Sequence, residues 1–205
     1  MIEKTFTLLA GVSESGKNVF AFRYLLNHPD RQCLRVIFDR DGENARRLGL
    51  TPAGQAAEID KAAALGWVCF DPAPLFGTDQ HRAFRFLCEW CLAVGERTGR
   101  RVVLLADEVW EYCDPYQLPD ELARLLQQGR KKNVEGIFGA QRPNKVNGSI
   151  FNEATEMVCF RLQERAGLTA MAEYGFDQHT LATLPYGSFE AINKRSGKSM
   201  SGRVY

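Results

Sequence analysis

Apolar residues in this chain come in two textures. Short runs rich in apolar residues, at residues 5–10, 33–38, 67–70, 101–106 and 157–161, have the length of strands and are closed by turn residues. Between them lie longer segments with helical spacing. Val19, Phe20, Phe22, Leu25 and Leu26 share one broad apolar face before a stop at Asn27-His28-Pro29-Asp30, and an alanine-rich stretch covers 51–65. Phe84, Leu87, Cys88, Cys91, Leu92 and Val94 mark a helix over 79–96 ended by Gly99. Further helices are expected at 118–128, with Pro119 near its start, and at 164–174, with Gly175 as the stop. A turn and a final strand fall within 184–192, and the basic end, residues 193–205, is expected to be flexible and solvated. Strands and helices alternate, as in an α/β protein. No repeat or low-complexity linker divides the 205 residues, so a single domain over 1–205 is expected.

Composition keeps this picture ordinary. With 45% hydrophobic and 25% charged residues, the chain has what one globular core needs and no sign of disorder. Lysine plus arginine number 26 against 25 acidic residues, so a polyanion would have to be met by a local basic cluster. No apolar run approaches the roughly 20 residues that cross a bilayer. Met1-Ile2-Glu3-Lys4 also lacks the layout of a signal peptide, and a cytosolic protein without a membrane span is expected. The six cysteines fall mostly in apolar segments, as reduced buried thiols do. Cys88 and Cys91 form a C-x-x-C without a second pair, and so read as neighbours on a helix face rather than zinc ligands.

Chemistry enters at residues 5–18. A β-rich run leads into Gly11-Val12-Ser13-Glu14-Ser15-Gly16-Lys17-Asn18, which matches the P-loop pattern G-x-x-x-x-G-K-[ST] except that Asn18 stands in the hydroxyl position. The glycines permit a tight turn whose backbone N–H groups surround a phosphate, and the helix beginning near Gly16 aims its positive end at the same anion. Lys17 would reach the β- and γ-phosphates. A plain strand-to-helix turn containing Gly-Lys has the same local sequence, so the loop needs support elsewhere.

Support comes at 101–108. The run Val102-Val103-Leu104-Leu105-Ala106 is that of a strand buried on both faces of a parallel sheet, and Asp107-Glu108 follow at its C-terminal end, where ligands bind in open α/β sheets. The arrangement resembles a Walker B motif, in which Asp107 would hold Mg²⁺ directly or through water and Glu108 would polarise the attacking water as general base. Trp110, Tyr112, Cys113, Pro115 and Tyr116 then make an aromatic, turn-rich loop. Farther on, the basic cluster Gly129-Arg130-Lys131-Lys132 leads into a short strand ending at Gln141-Arg142-Pro143. A glutamine there can hydrogen-bond the γ-phosphate or its water; a solvated loop with a polar strand end reads the same way. The charged residues of Asp39-Arg40-Asp41-Gly42 are expected to be solvated turn residues rather than substrate contacts.

Together, Leu104-Leu105-Ala106-Asp107-Glu108, Gly129-Arg130-Lys131 and Gln141-Arg142-Pro143 resemble the core of the FtsK/HerA superfamily of ring ATPases. Within it they resemble the genome-packaging ATPases of membrane-containing viruses with double-jelly-roll capsids, the tectivirus type. The resemblance runs from Thr5 to about Asn193. It implies a RecA-like P-loop NTPase fold with a central, mostly parallel β-sheet flanked by helices. It also implies a homo-oligomeric ring in which ATP hydrolysis moves double-stranded DNA independently of sequence. On this resemblance Gly11 to Asn18 cradle ATP, Lys17 is the P-loop lysine, Asp107 and Glu108 are the Walker B pair, and Gln141 is the sensor. Arg130 is the candidate arginine finger, reaching a neighbouring subunit's ATP. Mg²⁺ would be held by Asp107, with the Asn18 side-chain carbonyl accepting the ion or one of its waters. Lys131, Lys132, Arg142 and Lys145 are candidates for DNA phosphate contacts, although Lys131 and Lys132 flank Arg130 and serve a subunit interface equally well. The implied partner is a capsid portal vertex, and the implied location is the host cytoplasm or the packaging vertex of the virion.

Other readings use the same residues. An assembly or secretion ATPase of the zonula-occludens-toxin-like type usually carries a transmembrane segment. A P-loop small-molecule kinase would also use Lys17 and Asp107, but should show an arginine-rich lid and an acceptor pocket. A nucleotide-binding structural protein with little hydrolysis would account for the missing hydroxyl after Lys17. Glu108 and Gln141 favour water as the acceptor, and the compact chain favours the packaging motor.

Overall fold

The computed structural model describes residues 5–205; Met1-Ile2-Glu3-Lys4, and the expectation attached to them, lie outside the described residues. Its strands are β1 (Phe6–Ala10), β2 (Leu34–Phe38), β3 (Pro52–Ala53), β4 (Trp67–Phe70), β5 (Val102–Ala106), β6 (Val134–Ala140), β7 (Glu156–Phe160), β8 (Ser188–Asn193) and β9 (Lys198–Arg203). β1, β2, β5 and β6 are buried at every position, which is why apolar residues occupy both faces without alternation; the exceptions, Thr7, Arg35 and Glu135, are buried with them. The strand order is β3-β4-β2-β5-β6-β1-β7-β8-β9. β3–β4, β4–β2, β2–β5 and β1–β7 pair in parallel, whereas β7–β8 and β8–β9 are antiparallel. The sheet is thus mixed and mostly parallel, with β6 between the strand that precedes Asp107 and the strand that precedes Gly11.

Packing divides the described residues into two units, with β6 shared along its length. The first comprises residues 28–106 and 119–136. Here helix Gln80–Thr98 buries Phe84, Leu87, Cys88, Cys91 and Leu92; Asp79 caps it through the Arg82 N–H at 2.9 Å, and left-handed Gly99 ends it. Cys88 and Cys91 are therefore neighbours on one buried helix face, and all six cysteines are free thiols. Two expectations are corrected. Helix Ala56–Leu65 is shorter than 51–65, because Pro52 and Ala53 pair with β4 and a Gln55/Glu58 capping box starts the helix. Asp39 is a buried cap rather than a solvated turn residue. Only 1% exposed, it accepts the Asn44 N–H at 3.1 Å and the Ala45 N–H at 2.8 Å, and so holds a short helix, Glu43–Leu48, that the apolar pattern did not announce.

The second unit comprises residues 5–27, 107–118 and 137–205. Helix Lys17–Leu26 buries Ala21 and Leu25, while Leu26 stands half exposed, so its apolar face is narrower than the sequence implied. Phe20 packs edge-on against Phe160 and Phe189. The basic end is not a flexible tail. It forms β9, paired along β8 from Ser188↔Arg203 to Asn193↔Lys198, and the following Val204 is buried. Gly202 makes this possible, since a Cβ there would fall 2.5 Å from the Phe189 ring. No helix among the described residues is long and apolar enough to cross a membrane.

Candidate functional site

The loop after β1 and the Asp107-Glu108 pair both belong to the second unit. The Gly11 N–H donates to the Ala140 carbonyl at 3.1 Å and the Val12 N–H to the Arg161 carbonyl at 2.9 Å, which ties the loop to the ends of β6 and β7. A Cβ at Gly11 would fall 2.7 Å from Phe160 Cβ and from Ser15 Oγ, and one at Gly16 would fall 2.9 Å from Val204 Cγ2. Both glycines have positive φ, as does Glu14 at 59°, a mixture of hands found in anion-binding nests of backbone N–H groups. Gly16 opens its helix with neither a side-chain cap nor an acidic residue in the first turn, so the positive helix end is left for an external anion. The Lys17 ammonium is 5% exposed and donates to the carbonyls of Gly11 at 2.7 Å and Val12 at 3.1 Å. An ammonium has three donors, so one remains for a ligand. Burial holds the Lys17 pKa below that of an ordinary lysine, against the opposing pull of Asp107 and Glu108.

Asp107 Oδ1 accepts the Glu108 N–H at 3.0 Å, and Gly139 stands so near that a Cβ on it would lie 2.1 Å from that same oxygen. Glu108 adopts the left-handed conformation, φ 51° and ψ 46°, uncommon for a residue with a side chain. Its Oε2 accepts the indole N–H of Trp110 at 2.6 Å and the backbone N–H of Gln141 at 2.9 Å. Its Oε1 is buried without a hydrogen-bond partner. Burial raises the pKa above that of an ordinary carboxylate. The Gln141 N–H, Trp110 and Lys17 pull it down, and Asp107 adds to the rise. A carboxyl group anchored through one oxygen, with the other left without a partner and the group's pKa raised by burial, has the form of a general base.

Asn18 and Asp107 are both half-buried and offer hard oxygen donors. Mg²⁺ is commonly held by one or two such protein oxygens together with phosphates and water, and this donor set suits it. Among the described residues no three His, Cys, Asp or Glu side chains gather as a metal cluster. Gln141 reaches the site through its backbone, while its side chain is exposed. Arg130, Lys131 and Lys132 fall in the first unit, where Lys132 Nζ pairs with Glu96 at 2.8 Å. Sequence reasoning missed two residues. Trp110 looked like one more loop aromatic, and Gly139 carried no motif; the signal for each is a contact across the fold, not a local pattern. The Trp110 ring is also covered by cations, with Lys145 Nζ 4.9 Å and the Arg142 guanidinium 5.7 Å from its centroid.

No family model and no curated protein matches the chain. Solved structures do. The genome packaging NTPase B204 from Sulfolobus turreted icosahedral virus 2, in complex with AMPPCP, superposes with a TM-score of 0.80 at 18% identity, covering 98% of this chain and 97% of that one. VirB4 of Thermoanaerobacter pseudethanolicus gives 0.75 at 13% identity, covering 98% and 89%. The pCW3 conjugation coupling protein TcpA, in complex with ATPγS, gives 0.62 at 18% identity, covering 98% of this chain and 60% of that chain. The likeness establishes the fold. This chain has the RecA-like P-loop NTPase architecture that its motifs implied.

Proposed function

We propose that this chain is an ATPase of the FtsK/HerA type that moves double-stranded DNA, and that it packages a viral genome into a preformed capsid. The observation that carries the proposal is the setting of Glu108: one carboxylate oxygen held by two N–H donors, the other buried and without a hydrogen-bond partner. In this reading the N–H groups from Gly11 to Asn18 bind the phosphates of ATP, and Lys17 spends its remaining donor on them. Asp107 and Asn18 would hold Mg²⁺, which when bound would neutralise phosphate charge. Glu108 accepts a proton from the water that attacks the γ-phosphorus, and Gln141 senses the γ-phosphate. Arg130 completes a neighbour's site as an arginine finger in a ring, which is how hydrolysis in one subunit would be felt by the next. The structural likeness to a packaging NTPase over nearly its whole length supports the packaging role, with a capsid vertex as partner and the host cytoplasm as the place of work.

The test is ATP turnover with and without duplex DNA of mixed sequence. Duplex should stimulate phosphate release, and Glu108→Gln should keep nucleotide affinity while kcat falls by about 10²–10⁴-fold, the usual worth of a general base. Glutamine keeps a carbonyl oxygen for both N–H donors, so its loss of activity would not be a loss of structure. Unchanged turnover removes Glu108 from the base role. Indifference to duplex removes DNA as the cargo, and phosphate passed to a small molecule rather than water makes the protein a kinase.

A further inference from the structure

The general base of this site is held by something that ATP does not touch. Glu108 Oε2 has two partners, and only one of them, the Gln141 N–H, is backbone; the other is the indole of Trp110 at 2.6 Å. That indole carries Lys145 and Arg142 over its ring. Cations on a π-face withdraw electron density from the ring and make its N–H a stronger donor, so Lys145 and Arg142 tighten the grip of Trp110 on Glu108. Arg142 is exposed and Lys145 half-buried, and neither has a carboxylate ion-pair partner among the described residues. The same short segment therefore holds the base twice, directly through Gln141 and indirectly through its two cations. It also offers those cations to any polyanion that approaches.

The geometry points to Trp110 as a positioning residue that restrains Glu108 until Arg142 and Lys145 are drawn onto a DNA phosphate backbone. The idea rests on the DNA-motor reading above and adds its control. Phosphates compete for both cations because an ion pair with a phosphate outweighs a cation–π contact at a half-exposed site. Once they leave, the indole N–H weakens as a donor and the ring is free to swing. Glu108, then held by the Gln141 N–H alone, can turn its unpartnered oxygen toward the attacking water. Hydrolysis without cargo is thereby suppressed.

The experiment compares wild type, W110F and R142A/K145A in steady-state ATP hydrolysis with and without duplex DNA. W110F should raise the DNA-free kcat by about tenfold, the size of one lost charge-assisted hydrogen bond, leave KM for ATP unchanged and shrink the stimulation by duplex. R142A/K145A should likewise lose most of the stimulation. In a W67F/W90F background, where Trp110 is the sole tryptophan and is excited selectively over tyrosine, duplex should shift indole emission to the red, and R142A/K145A should abolish that shift. A DNA-free kcat for W110F at or below wild type overturns the restraint, as does an emission spectrum that ignores duplex. If wild type hydrolyses ATP but ignores duplex, the motor reading falls and takes this control with it. Stimulation that survives W110F undiminished sinks the control alone.

Discussion

Gly139→Ala isolates the position of Asp107 from its chemistry. Gly139 sits in β6 with ordinary strand backbone, so alanine meets no conformational barrier there. The obstacle is steric. The new methyl would lie 2.1 Å from Asp107 Oδ1, 3.1 Å from its Cγ and 3.2 Å from its Cα, whereas ordinary contact begins at 3.4 Å. Asp107 must give way by about 1 Å, and its side chain cannot simply rotate aside because Oδ1 holds the Glu108 N–H at 3.0 Å. Overpacking of this kind costs about 1–3 kcal/mol, offset by roughly 0.5–1 kcal/mol from replacing a strand glycine. The net loss of stability is at most about 2.5 kcal/mol, which leaves the fold standing. Function suffers more visibly, because a misplacement of about 1 Å at a reacting centre is worth on the order of 10²-fold in rate. Urea unfolding gives the first quantity; kcat and the Mg²⁺ concentration for half-maximal turnover give the second, and both should worsen while ATP-analogue binding persists. Gly95→Ala is the control. Its methyl would lie 2.1 Å from the Lys132 carbonyl oxygen, so it should destabilise the first unit without altering the Mg²⁺ requirement. A Gly139→Ala protein with wild-type kcat and Mg²⁺ dependence would refute the placement of Asp107 at the metal.

Three further outcomes are expected. Arg130→Ala should lose about 10³-fold or more in turnover as an arginine finger does, and mixing it with Glu108→Gln should restore part of it, because each damaged subunit supplies a different half of a shared site. Normal turnover by Arg130→Ala under ring-forming conditions excludes the finger. Asn18→Ser or Asn18→Thr should keep nucleotide binding and lower the Mg²⁺ needed for turnover; abolished nucleotide binding, read by titration with an ATP analogue, contradicts a hydroxyl-equivalent role. His28 is 1% exposed and 3.5 Å from Glu135 Oε2. Burial works to lower its pKa, but hydrogen bonds with Cys33, Glu135 and the Asp30 backbone raise it to about 10. The protonated form therefore stabilises the fold fully below the unfolded value near 6.5, and that contribution is lost as pH rises toward 10. Tm should fall across this window, and His28→Gln should flatten the decline; an unflattened profile removes His28 from the cause.

The sheet centre and the two motifs were legible because their physics is local. β5 is a continuous apolar run and β1 is interrupted only by Thr7, and each stops at its turn residues, so Gly11 and Asp107 could be placed at strand ends from sequence alone. Asp39 was misread for the opposite reason. Its partners, Asn44 and Ala45, lie five and six residues downstream in a helix with one buried residue, too short to show a period. β9 was invisible because Lys198–Arg203 presents almost no apolar residue; its pairing is backbone to backbone, and Gly202 leaves room for the Phe189 ring against it. Trp110 was visible as an aromatic but not as a partner of Glu108, since that bond depends on a left-handed turn at a glutamate.

What the fold adds to the loop is a dependence on the far end of the chain. The Gly187 N–H donates to the Ser15 carbonyl at 3.0 Å, and the Val204 N–H donates to the Gly187 carbonyl at 2.9 Å. The Val204 side chain occupies the space that a Cβ on Gly16 would need, and the Tyr205 ring lies where a Cβ on Gly187 would be. The phosphate loop is thus supported from beneath by residues near 160, 187 and 204, none of which has a motif of its own. Gly11 and Gly16 must therefore be small toward the protein as well as permissive in φ. A motif read as eight consecutive residues is in physical terms also a set of contacts with Phe160, Gly187 and Val204, far along the chain.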